Sequence, residues 1–362
     1  MQAKNLCFYL SDHGFGHIAR NIPLIAEAVR RIDAYVYVVC GERHLEFAKA
    51  NLLEILTPEQ SSRIRYRAEH TDIGLILQQG TLLVDTSALT DACAQYLAEL
   101  PERAKQEAEW LRQQEIAAAL CDMPLWSISA CEQAGVPLLY VGNFTWTELY
   151  REFLPEYIWK AYAAEYRKIQ HGVLYALHNP EMLEFLPRAE LSATSLVARP
   201  FHPDEIRTIR ARHTCPVVFV ALGMSAQFTR PVSVEGVEAH FYVTEGVPLT
   251  GSNVTVIPYS TLHTQDYVAA ADYVITKAGW GTVAECLLAQ KPMALFARDS
   301  VLEDRTTIRL LEQKKLAIKV TYEQLTEMSD LLEQMKQITY PAVPEYHNAA
   351  AEIVSKLLTL TE

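Results

Sequence analysis

The chain has 362 residues, half of them hydrophobic and 21% charged, and its 32 basic against 44 acidic residues leave a net charge of -12. At roughly 100–200 residues per domain this length predicts two domains, and the acidic balance argues against nucleic acid, whose binding rests on basic contacts to phosphate. The seven cysteines show no C-x-x-C spacing and sit in apolar surroundings, which excludes a close-spaced zinc or redox motif and predicts buried free thiols.

The first apolar run, Leu6–Leu10, reads as a buried strand, and Ile22, Ile25, Ala26 and Val29 recur at helical spacing within Ile18–Arg31. No signal-peptide pattern precedes that strand, and no apolar stretch approaches the roughly 20 residues of a bilayer span. A cytoplasmic protein is expected. Further strands are predicted at Tyr35–Cys40, Ile116–Cys121 and Pro137–Val141, and helices at His44–Ala50, Thr90–Gln113 and Leu125–Ala134. The aromatic-rich segment Phe153–Tyr166 is expected to be helical. Its Phe153, Tyr157, Trp159, Tyr162 and Tyr166 suit either a core or a peripheral contact with a membrane surface.

Two prolines in LVARPFHPDE, residues 196–205, mark a boundary. Beyond it the alternation restarts, with strands at Val217–Ala221, His240–Val243, Val254–Ile257, Tyr273–Ile275 and Met293–Phe296 and helices near Tyr267–Ala271, Thr282–Ala289 and Asp304–Gln313. An amphipathic helix, Tyr346–Leu358, ends the chain. Such alternation predicts an α/β fold of two Rossmann-like, doubly wound parallel-sheet domains facing a cleft. The expected divisions are residues 1–200, 201–345 and a C-terminal segment 346–362 that packs back on the first domain.

The turn after the first strand reads DHGFGHIAR. Gly14 to Ala19 fits G-x-G-x-x-A, a variant of the dinucleotide fingerprint, and Glu42 follows the second strand where a ribose partner would stand. An NAD-dependent oxidoreductase is therefore one reading. The other gives His17 the role of general base, since imidazole with an unperturbed pKa of about 6.5 suits proton removal near neutrality. A plain packing or capping role is the third. Asp122 ends the run Ile116–Cys121 and is expected to emerge at the same sheet edge, either to orient the imidazole or to cap the following helix.

The second glycine turn lies in YVITKAGWGTVAECLLAQ. A strand runs through Lys277-Ala278-Gly279-Trp280-Gly281 into a helix, and exposed N–H groups at a helix start form an anion site. Thr282 adds a hydroxyl and Lys277 a charge. Glu285 suits two ribose hydroxyls, while Thr282-Val283-Ala284-Glu285 is equally a capping box.

HGFGHIAR (13–20), AGVPLLYVGNFTW (134–146), ITKAGWGTVAE (275–285) and FARDSVLEDR (296–305) together resemble the GT-B glycosyltransferases. They are most similar to the glycosyltransferase-like N-terminal half of plant L-arabinokinases and its stand-alone bacterial relatives. The lipid-II-forming and UDP-dependent transferases are more distant. The resemblance implies transfer from a nucleotide-diphosphate sugar, UDP-linked, to an unidentified acceptor, inverting and independent of metal or other cofactor. It makes His17 the base and Asp122 its orienting acid. It places Gly279, Trp280, Gly281 and Thr282 at the diphosphate and Glu285 at the ribose. Asp304 and Arg305 fall at the donor sugar, with Arg305 where many members have glutamine. Gly223 and Ser225 lie in a phosphate-facing loop, and Tyr259 is near the nucleobase. His13, Phe15, Asn143 and Trp146 overlook the acceptor side, where Trp146 is either an aromatic platform or loop packing. A nucleotide-sugar hydrolase or epimerase, or a sugar-nucleotide sensor, would share the same donor site.

Overall fold

The computed structural model describes residues 4–79, 83–222, 231–296, 298 and 301–362. The chain divides into two compact units, Met1–Gln78 with Val84–Val197 and Asn348–Glu362, and Gln79–Leu83 with Ala198–His347.

In the first unit seven strands form one sheet: β1 (Asn5–Leu10), β2 (Val36–Cys40), β3 (Ile64–Ala68), β4 (Ile116–Asp122), β5 (Leu138–Gly142), β6 (His171–Leu174) and β7 (Glu190–Ala193). Their order is β3-β2-β1-β4-β5-β6-β7, every pair parallel. The central strands β1 and β4 are apolar and almost wholly buried, as strands covered on both faces must be. The edge strands β3 and β7 read IRYRA and ELSA, and their polar, half-exposed residues carry no strand signal in the sequence.

Helix Phe15–Arg31 starts three residues before the periodic pattern does, which brings His17 into its first turn. Within the aromatic segment Phe153–Tyr166 one helix forms, Glu156–Tyr166, with Pro155 at its cap, and a separate short helix, Trp146–Arg151, precedes the segment. Tyr162 and Tyr166 are core residues, while Tyr157 is exposed, so the five aromatics do not share one surface. Helix Ala350–Thr359 closes this unit against Phe15–Arg31. There Arg31 Nη1 donates to Ser355 Oγ at 2.6 Å and the Ala349 amide to the Leu196 carbonyl at 2.8 Å.

The second unit contains β8 (Val217–Ala221), β9 (Val232–Ser233), β10 (His240–Thr244), β11 (Leu249–Thr250), β12 (Val254–Ile257), β13 (Tyr273–Lys277), β14 (Met293–Phe296) and β15 (Ala317–Lys319). Six of them form a parallel sheet in the order β12-β10-β8-β13-β14-β15, and β11 pairs with β9 separately. Val218, Val220, Phe241, Val243 and Ile275 fill its core together with Leu331 and Met335. Each sheet reverses its strand order once, between β1 and β4 and between β8 and β13. Parallel sheets open a crevice at the carboxyl ends of such strand pairs.

All seven cysteines are unpaired, and all but Cys215 are buried. Among the described residues no helix is long and apolar enough to cross a membrane. Leu357 is fully buried on the closing helix. Leu357→Ala is expected to cost about 2–5 kcal/mol, measured by denaturant unfolding.

Candidate functional site

At the first reversal, β1 delivers the turn Ser11–Gly14 and β4 ends on Asp122, which pairs in register with Leu10. Asp122 is fully buried, so its charge must be met inside the protein. His17 Nδ1 lies 2.9 Å from its Oδ1. Arg20 holds both oxygens, Nε to Oδ2 at 2.7 Å and Nη2 to Oδ1 at 2.5 Å, and Asn21 Nδ2 donates to Oδ2 at 2.6 Å. Burial opposes the charge, but the Arg20 guanidinium and His17 outweigh it and hold the carboxyl well below the usual carboxylate range.

An ionised carboxylate only accepts hydrogen bonds, so His17 Nδ1 is the donor to it and Nε2 is the ring nitrogen turned away from Asp122. Arg20 Nη2, 3.0 Å from the same Nδ1, is then a second donor aimed at the shared oxygen. Arg20 Nη1 also donates to Asn143 Oδ1 at 2.8 Å, and its guanidinium lies over the Tyr175 ring. Met123, just past Asp122, has φ 89°, a strained conformation of the kind that collects at functional sites.

Arg20 and Asn21 escaped the sequence reading, although they stand three and four residues after His17 and so share its helix face. Nothing in sequence pointed to the irregular segment that follows β3. Asp12 binds it through the Thr71 hydroxyl at 3.0 Å, the Asp72 amide at 3.2 Å and His70 Nδ1 at 2.8 Å. Tyr96 and Trp126 donate to the Thr71 carbonyl and Tyr150 to that of Gly74. Gly74 has φ 66°, and a Cβ there would meet the His13 ring at 2.0 Å.

Burial opposes the charge on Asp12 as well, yet its bonds from His70, the Asp72 amide and Thr71 lower its pKa. Burial and the Asp12 charge push that of Asp72 up.

Of the four residues expected on the acceptor side, Phe15 is exposed and stacked on His44, and His13 sits half-buried with its ring edge-on to Trp146. Asn143 and Trp146 are buried. Trp146 stacks on Tyr150 and donates from Nε1 to Asp72 Oδ2 at 2.9 Å, so it offers packing and no platform.

In the second unit, β13 runs into helix Trp280–Leu288 with Gly279 as a cap that supplies no side-chain hydrogen bond. Gly281 and Thr282 are half-buried in the first turn, whereas the Trp280 ring is buried. A Cβ at Gly279 would come within 3.3 Å of Lys277 Cε, so glycine lets the lysine stem lie against the helix start. Burial and the nearby Arg298 lower the Lys277 pKa.

Thr282–Glu285 does not form a capping box, because the helix begins two residues earlier. Glu285 Oε1 instead accepts from Arg199 Nη2 at 2.9 Å and Nε at 3.2 Å, and Arg199 also donates to the Leu262 carbonyl and Thr264. After β14, Asp304 is fully buried and takes the Arg298 amide at 3.0 Å, Nε at 2.9 Å and Nη2 at 2.7 Å. Arg305 beside it is half-buried. Tyr259, past β12, is 58% exposed and its amide donates to Glu245 Oε2. Gly223 and Ser225 lie outside the described residues.

Residues 227–360 match the family model for the glycosyltransferase family 28 C-terminal domain. The chain is 26% identical over 334 residues to an L-arabinokinase of Arabidopsis thaliana; the match covers 86% of this chain but only 30% of that protein's length. Among solved structures, UGT89C1 of Arabidopsis thaliana complexed with UDP-L-rhamnose is 12% identical with a TM-score of 0.67, covering 100% of both chains. CalG4, the calicheamicin glycosyltransferase, is 14% identical with a TM-score of 0.60, covering 100% of this chain and 94% of that one. The fold is thus GT-B, as the motifs indicated.

Asp122→Asn leaves the buried Arg20 without a charge partner and is expected to cost about 3–5 kcal/mol. Because the folded pKa of Asp122 is depressed, its stabilisation is complete above its unfolded value of about 3.9 and is lost as pH falls below that. The stability gap between wild type and variant, followed by urea unfolding, should therefore stay level from pH 5 to 8 and shrink in acid.

Proposed function

We propose that the protein transfers a sugar from a UDP-linked donor to an acceptor with inversion, needing no metal or other cofactor. The single observation that carries this reading is the His17–Asp122 pair, an imidazole fixed by a buried carboxylate at the carboxyl edge of the sheet. A hydroxyl of the acceptor gives its proton to His17 Nε2 and attacks the anomeric carbon. The bond from that carbon to the diphosphate breaks, and the electron pair leaves on the diphosphate. Asp122 stabilises the imidazolium that forms.

The negative charge on the departing diphosphate is met by the N–H groups at the start of helix Trp280–Leu288, with Thr282 and Lys277 beside them. That supply of positive charge is what makes a metal unnecessary in this reading. Glu285, braced by Arg199, accepts from the ribose hydroxyls, and Asp304 and Arg305 address the donor sugar. The choice of UDP rests on the UDP-L-rhamnose complexed with UGT89C1.

His17→Ala is expected to leave UDP affinity unchanged in calorimetry while transfer falls by about 10²–10⁴. Unchanged turnover would remove the histidine from the reaction. Glu285→Ala should weaken UDP binding by about tenfold, the worth of one hydrogen bond to a charged group. Nucleotide diphosphate released equally fast with and without acceptor would instead make the enzyme a hydrolase.

A further inference from the structure

The buried carboxylates Asp122, Glu285 and Asp304 each face an arginine. Asp266, fully buried in the first turn of helix Thr264–Ala270, does not; its ion-pair partner among the described residues is His202. His202 Nδ1 lies 2.8 Å from Asp266 Oδ2, and the His202 amide donates to Oδ1 at 2.9 Å. Imidazole is not a permanent cation as guanidinium is. Charges buried this deeply are paired or coordinate a metal.

A second histidine completes a donor set. His263 caps the same helix and stands three residues before Asp266, so the two share one turn. Its ring meets that of His202 with centroids 4.6 Å apart and planes at 66°. One donor atom from each of His202, His263 and Asp266 lies within 4.8 Å of the other two. Zinc bonds to nitrogen and oxygen run about 2.0–2.2 Å, so each donor moves by less than about 1 Å to meet a single ion. Both histidines are half-buried, which gives an ion access from solvent. The two segments that supply these donors are already fastened together. Gln265, 1% exposed, donates to the Pro200 carbonyl at 3.1 Å, and its Nε2 lies 3.3 Å from His263 Nδ1. Arg199 donates to the Leu262 carbonyl at 2.7 Å and to Thr264 Oγ1 at 3.1 Å, on either side of His263.

We propose that His202, His263 and Asp266 form a zinc site that clips residues 199–202 to the start of helix Thr264–Ala270. Two imidazoles and one carboxylate suit a borderline dication; magnesium and calcium prefer all-oxygen ligands. The role of the ion is structural. It fixes the segment from which Arg199 reaches Glu285 and does not depend on which reaction the protein performs.

The test is a calorimetric titration of the full chain with zinc chloride after removal of metal by a chelator and desalting. The wild type should take up one equivalent, and magnesium chloride should give no binding. His202→Ala and His263→Ala, which alter different segments, should each weaken zinc binding by at least about tenfold, since even a residue behind a metal ligand is worth that much. His213→Ala is the control, because His213 and His240 form a separate stacked pair with ring centroids 3.9 Å apart. It should bind zinc as the wild type does. Zinc should also raise the unfolding temperature of the wild type and leave that of His263→Ala unchanged, a comparison that begins from two folded proteins. No uptake by the wild type, equal uptake by His202→Ala and His263→Ala, or loss of uptake in His213→Ala overturns the proposal.

Discussion

One buried negative charge organises the first unit's site. Asp122 ends a central strand where no water reaches it, and a carboxylate there is stable only when fully surrounded by donors. Arg20, Asn21 and His17 supply them from a single helix face, so the charge selects the register of that helix against the sheet. In return the carboxylate fixes which imidazole nitrogen bears the proton. Fold stability and proton chemistry thus draw on the same hydrogen bonds, and neither can change alone.

Much of this was legible in sequence because the physics is local. Apolar runs of five or six residues announced β1, β4 and β8, and glycine turns announced where helices begin. The edge strands β3 and β7 were not legible, since their side chains meet solvent and need no apolar pattern. The helix expected over Phe153–Tyr166 forms from Glu156 onward, because Pro155 sets its start.

The site was legible where a residue sits at the end of a strand or the start of a helix. It was hidden where partners come from far along the chain. His17 and Asp122 belong to the first kind. Asp12 and Asp72 belong to the second, because the segment after β3 has no periodicity and its position depends on side chains from three helices. In the second unit, the Thr-x-x-Glu spacing around Glu285 pointed to a cap. The glycine at 279 moved the helix start, and Arg199, 86 residues earlier, took the carboxylate instead. Asp304 likewise acquired Arg298, so the donor-side acids come already engaged by arginines.

The first unit is discontinuous: its closing helix Ala350–Thr359 is separated from the rest by the whole of the second unit. During synthesis the larger part of this unit leaves the ribosome well before its final helix exists. The apolar face that Ile353, Val354 and Leu357 will cover stays open until that helix is made. The intervening unit carries a continuous core and can mature first, so its completion precedes the sealing of the unit that began the chain.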